Sequence, residues 1–205
     1  MAFLTQRELD SLAQTVRSAE ARTSGEIVTV IAPHSGTHLW PFMFAAAFAG
    51  FFVPGALAPY FGIVSSGDLF FVQIATVLVL EIVLSIPRIR FALVPASIKR
   101  AAAHRRAREQ FFERGLHLTE QRTGVLIFVS VAEHHVEILA DSGIDAKVDA
   151  TVWQGIVDGF VAEVRRKRIA EGFDAAVQAV GDILARHFPS AAKNPNELPD
   201  RLFVL

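Results

Sequence analysis

"YFGIVSSGDLFF", residues 60–71, reads as a tight polar turn, Ser65-Ser66-Gly67-Asp68, set between two long apolar runs. On its amino side, Leu39 to Val64 is an uncharged run of 26 residues rich in Phe and Ala. On its carboxyl side, Leu69 to Pro87 is a run of 19 residues broken by one charge, Glu81. A helix rises about 1.5 Å per residue, so about 20 residues cross the roughly 30 Å hydrocarbon layer of a bilayer. Each run is long enough, and the pair predicts a two-helix transmembrane hairpin over 39–94 with the Ser-Gly turn at the far surface. Trp40 and Tyr60 fall where amphipathic rings favour the headgroup level.

Further outward lie the features that set the orientation and those that resist it. From Arg88 to Arg108 there are seven Lys or Arg and no acid, which assigns that end, and with it both termini, to the cytoplasmic side. Pro41, Pro54 and Pro59 bend or shorten the first helix, and Pro54-Gly55 allows a re-entrant form. Glu81 is costly at membrane depth and calls for a cavity, a proton or a partner, with Arg88 two turns on as the candidate. The competing reading, two buried helices of a soluble bundle, requires so small a domain to cover two helices that have no polar face.

Acidic and basic side chains nearly cancel, with a formal net charge of -1. No global field points to nucleic acid, and no such partner is expected. The absence of cysteine excludes disulfides, thiolate metal sites and cysteine nucleophiles. "MAFLTQRELD" carries no basic-then-apolar signal pattern, so a removable signal peptide is not expected.

The segments flanking the hairpin read as two parts of one α/β domain, residues 1–38 and 95–205. Thr5 and Glu8 form a capping-box pair and Leu4 and Leu9 a staple, followed by the stripe Leu9, Leu12, Val16, Ala19. "EIVTVIA" (26–32) is a β-branched strand. Ser97 to Arg114 is a basic helix ended by Gly115; it lies along anionic headgroups or presents a solvated face. "GVLIFVSVA" (124–132) is the central strand, and "HHVEILAD" (134–141) its antiparallel partner. A helix capped by Asp149 runs to "RRKR" (165–168), and a last helix runs from about Phe173 to Phe188. Helices before, between and after a few strands predict helices on both faces of a small mixed sheet. In the tail, "NELPD" with Glu197 and Asp200 is expected to dock by capping backbone N–H groups.

"RTSGEIVTV" (22–30), "TEQRTGVLIFVSVAEHHVEILADSGI" (119–144), the two closing helices and "HFP…NELPD" (187–200) together resemble the TPM domain family, also called the TPM-phosphatase family. With the hairpin, the chain is similar to its bacterial integral-membrane branch. The resemblance implies a compact α/β/α sandwich and a place in the bacterial inner membrane. Relatives are described as acid phosphatases, photosystem-repair factors or calcium binders, which implies Ca2+ or Mg2+ as candidate cofactors. Ser24-Gly25 departs from the more usual Thr-Gly, with Gly25 retained.

No Walker loop, dinucleotide fingerprint, HExxH, EF-hand loop or G-x-S-x-G elbow is present. The best polar constellation is Asp141, Asp145 and Asp149, with Glu26 as a further member, at a strand end running into a helix start. Carboxylates there suit a hard cation. Each also has a plain role: Asp149 as helix cap, Asp145 as turn or solvated residue, Asp141 as holder of the turn before Gly143. Gly25, Gly124 and Gly143 mark structural turns, Gly143 as a positive-φ position. Arg122 and Thr123 are expected to bond the matching Arg22-Thr23 turn. His104, His134, His135 and His187 lack zinc-ligand spacing. Two functions stay open: a membrane-anchored interaction or assembly role, its partner the bilayer and another membrane protein or a second copy, or a divalent-metal-dependent phosphatase.

Overall fold

The computed structural model describes residues 4–36, 39–62, 65–190 and 196–205; the side chains at 39–41, 87, 88 and 90 lie outside that description. The expectations for Trp40, for Val64 as the end of the first run and for Arg88 as partner of Glu81 therefore fall outside it. The chain divides into two compact units, Met1–Ser35 with Arg100–Leu205, and Gly36–Lys99.

In the larger unit, helix α1 (Gln6–Glu20) starts on the reciprocal box: Glu8 N–H donates to Thr5 Oγ1 at 3.3 Å and Thr5 N–H to Glu8 Oε2 at 2.6 Å. Strand β1 (Glu26–Ala32) pairs in parallel with β2 (Gly124–Ser130), Glu26 beside Gly124 and Ala32 beside Ser130. Both strands are buried along their whole length. On the far side of β2, β3 (His135–Ala140) returns antiparallel, Ser130 beside His135 and Val125 beside Ala140. The fourth strand, β4 (Leu202–Val204), lies parallel to β1 on its other edge, so the sheet order is β3-β2-β1-β4. The tail docks as a strand, and Leu205 N–H donates to Ile31 O.

Alternation along the buried strands sends side chains to two cores. Ile27, Ile31, Val125, Ile127 and Val129 pack with Leu12, Val16 and Ala19 of α1, and with Trp153 and Phe160 of α7 (Ala150–Arg165). Phe173, Val177, Val180 and Leu184 of α8 (Ile169–His187) complete that core. Val28, Val30, Leu126 and Phe128 pack on the opposite face with Ala103, Ala107 and Phe111, which come from the basic helix Ala96–Glu113. The result is a three-layered α/β/α arrangement on a mixed sheet. The last helix begins at Ile169 rather than near Phe173, because Lys167 at φ 63° turns the chain within two residues of α7.

In the smaller unit, α2 (Leu39–Leu57) and α3 (Ser66–Ser85) run side by side, joined by a 3-10 turn at Ala58–Phe61. They meet closely at Gly50, where a Cβ would sit 2.5 Å from Val77 Cγ2. Gln73 of α3 donates its amide N–H to Phe51 O at 2.8 Å, tying the two helices together one turn before Pro54, which α2 passes through without a break. Both helices are long and apolar enough to cross a membrane. Two shorter helices precede the sheet's second half and its closing layer: α4 (Pro87–Leu93), followed by α5, the basic helix already described, and later α6 (Ser142–Asp145).

Candidate functional site

The residues singled out in the sequence gather at one edge of the sheet. Asp141 N–H donates to Gly124 O, so the end of β3 returns to where β1 and β2 begin. Asp141 accepts from Ser142 N–H at 2.7 Å, and its second oxygen, without a hydrogen-bond partner among the described residues, has the Arg122 guanidinium beside it, Nε at 3.3 Å. Asp149 is spent as the cap of α7, accepting from Thr151 N–H at 2.8 Å; those Thr151 bonds hold its carboxyl below the ordinary value. Asp145 is exposed, its carboxyl raised by partial burial and by the charge of Asp141. A hard cation takes six or more oxygen ligands. Among the described residues no group of three or more His, Asp or Glu is placed to hold a metal ion. Asp141 starts α6 and Asp149 starts α7, while Asp145 stands exposed between them.

One detail of this edge differs from expectation. The left-handed residue is Arg122, φ 56°, and not Gly143. Gly143 is needed for room: a Cβ there would meet Arg122 O and Gln121 O at 2.7 Å. Gly124 is similarly pressed, with Leu116 O 2.6 Å from a built Cβ. The two RT turns do bond each other, Thr123 Oγ1 donating to Ser24 O at 3.0 Å, and Gly25 N–H is held by Thr23 Oγ1.

Next to them lies an acidic pocket lined by Arg17, Glu20, Glu26, Asn196 and Asp200. Glu26, 3% exposed, accepts from Glu197 N–H through Oε1 at 3.1 Å, while among the described residues its Oε2 has no hydrogen-bond partner. Tail and domain are tied in both senses: the Glu197 N–H donates to Glu26, and the Glu197 carboxylate accepts from the Glu120 N–H at 3.5 Å, the sense expected from the sequence. Asp200 pairs with Arg17 at 3.1 Å. Burial, with Glu26 and Asp200 nearby, pushes Glu20 up to about 9 even though it accepts from Ile27 N–H; burial raises Glu26 as well.

Ligands of open α/β sheets bind outside the carboxyl ends of the parallel strands. Because β3 is antiparallel, its exit, with Asp141, is at the amino edge. The carboxyl edge of β1 and β2 instead carries a cleft of about 390 Å³, lined by Val129, Ser130, Val136, Val161, Val164 and Ile169, with His134, His135 and Arg165 at the rim. Beside it Ser35 Oγ donates to Ser130 Oγ at 2.6 Å, and Ser130 Oγ donates to Glu133. His134, φ 49°, makes the sharp bend that places the rim. His135 and His104 both bond Glu137. Burial alone would raise that carboxyl, but the two histidine hydrogen bonds outweigh it and hold Glu137 below the usual glutamate value. The sequence signal for the cleft was thin: Val161 and Ile169 lie beside the main apolar stripes of their helices.

Residues 87–183 match the family model described as the TPM domain. That stretch, a little under half of the chain, is similar to a TPM domain. In three dimensions it is similar to the BA42 protein of the psychrophilic bacterium Bizionia argentinensis, solved by NMR, with a TM-score of 0.63 and 19% identity over 99% of this chain and 96% of that one. At that identity the likeness shows the fold. No curated protein matches the chain. The matched segment contains every residue of the carboxyl-edge cleft as well as Asp141, Asp145 and Asp149. Glu20, Glu26 and Asp200 lie outside it.

Proposed function

We propose that this is a membrane-anchored TPM-domain protein of the bacterial inner membrane, with the domain on the cytoplasmic side serving an interaction or assembly role. The observation that carries the anchor is exposure: α3 has no buried residue, and Phe44 (71%), Phe48 (66%) and Ile82 (66%) stand out from the helix pair. Helices that are apolar all round need covering, by lipid or by protein. The 20 residues of α3 suit a bilayer crossing, and the basic residues Lys99, Arg100, Arg105 and Arg106 favour the cytoplasm for the segment that follows. The cleft at the carboxyl edge is the domain's candidate contact for a partner.

Cysteine placed at Ser66 in the full chain tests the topology. Labelling from the outer side by an impermeant maleimide, with the termini protected from external protease, is expected; labelling from the cytoplasmic side alone refutes the anchor. Crosslinking in native membranes should recover one reproducible partner, a second copy included. The metal-dependent phosphatase reading is checked on the same preparation with a generic phosphomonoester and Ca2+ or Mg2+. Turnover that requires the added ion and disappears in Asp141→Ala would replace the interaction reading.

A further inference from the structure

The cleft at the carboxyl edge has a chemistry specific enough to name a ligand class. Its floor is aliphatic, formed by Val129, Val136, Val161, Val164 and Ile169, and its volume of about 390 Å³ is at the small end of ligand pockets. The one hydroxyl in the lining, Ser130 Oγ, is already committed to Glu133. The floor thus offers nothing to a sugar or a base and favours a plain hydrocarbon chain.

The rim is different. Acids near it are engaged elsewhere: Glu137 with His135 and His104, Glu133 with Ser35 and Ser130, Glu163 with Arg166 and Arg168. Arg165 lines the cleft and has no ion-pair partner among the described residues. A guanidinium presents a planar fork of donors that matches a carboxylate in two-point fashion.

We propose that the cleft binds a medium-chain carboxylate, its hydrocarbon chain along the valine and isoleucine floor and its carboxylate on Arg165, with His134 beside it at the rim. The proposal rests on the cleft being the domain's binding site and is independent of whether α2 and α3 enter lipid.

The test titrates octanoate into the full chain in lipid nanodiscs, followed by NMR of labelled valine and isoleucine methyls. Saturable shifts at Val161, Val164 and Ile169 are expected, with a Kd of about 1 mM or tighter. Arg165→Ala, an exposed position that leaves the core intact, should weaken binding about tenfold, and octanol should bind about tenfold more weakly than octanoate. Arg166→Ala, whose partner is Glu163, should change nothing, and Val161→Trp should fill the cleft and abolish the shifts. Shifts confined to α2 and α3 would report partition into the bilayer and overturn the proposal. So would equal binding of octanol or octyltrimethylammonium, or an Arg165→Ala variant that binds like the parent. If the topology experiment refutes the anchor, the same titration runs in plain buffer, so the two failures remain distinguishable.

Discussion

Glu133 holds the backbone N–H of Ser35 with both carboxylate oxygens, each at 3.1 Å. This pair joins the β2–β3 turn, which carries the rim of the cleft, to the segment that leaves β1. Glu133→Ala would strand that N–H and take away the acceptor of the buried Ser130 hydroxyl. A loss of about 1–3 kcal/mol is expected in denaturant unfolding, with Glu133→Gln losing less because it keeps an acceptor. Equal stability of the alanine variant and the parent would contradict the clamp.

Glu20 gives the domain a stability that falls as pH rises. Its carboxyl titrates at about 9 when folded, against 4.5 for the ordinary side chain, so between those values the folded state holds a proton that the unfolded chain has released. The contribution is complete below 4.5 and is lost as pH climbs to 9, at no more than about 1.4 kcal/mol per pH unit. Glu20→Gln keeps an acceptor for Ile27 N–H and has no proton to lose. It should flatten the profile and exceed the parent at pH 8 by on the order of 1 kcal/mol; parallel unfolding curves at pH 5 and pH 8 would rule this out.

Gly143 and Gly155 make a matched pair for thermal unfolding. Gly143→Ala brings a methyl within 2.7 Å of two backbone oxygens and should cost about 2 kcal/mol or more. Gly155 lies inside α7 with nothing within 4 Å of a built Cβ. Gly155→Ala should therefore stabilise by about 0.5–1 kcal/mol. A similar melting shift for both would mean that the Arg122–Gly143 approach is not as tight as described.

Gln73→Leu removes the one side-chain hydrogen bond described between α2 and α3. In detergent-titrated unfolding of the full chain, helix pairing should weaken by about 0.5–2 kcal/mol. Gln73→Asn, too short to reach Phe51 O, should behave like leucine, and a gain in stability from either change would contradict the role given to this amide.

Local chemistry was legible in the chain and long-range geometry was not. Thr5 with Glu8, and Asp149 before α7, announce their helices because a cap is made within three residues. The runs 26–32 and 124–130 announce buried strands by continuous β-branched and apolar residues. Which edge of the sheet Asp141 would occupy depended on β3 running against β1 and β2, a pairing between distant segments. The same holds for β4: three residues are too few for a periodic signal, and only the docking of the tail through "NELPD" was readable. Gly143 was identifiable as constrained, but its reason, the carbonyls of Gln121 and Arg122, comes from a neighbouring loop. The cleft was hidden because Val129 and Val136 sit on strands while Val161 and Ile169 come from two helices.

Strand β1 has a timing problem set by its neighbours. It lies between β2 and β4 in space, yet about 90 residues separate its end from the start of β2, and β4 follows still later. At about 5–20 residues per second of translation, "EIVTVIA" leaves the ribosome on the order of 5 to 20 seconds before the strand that covers its first edge. During that wait the apolar hairpin emerges, and β1 stays bare on both sides, as an unpaired strand open to aggregation. Factors that hold nascent chains should therefore engage this protein at residues 26–32, and ribosome-bound intermediates arrested before residue 124 should be the species that depend on them.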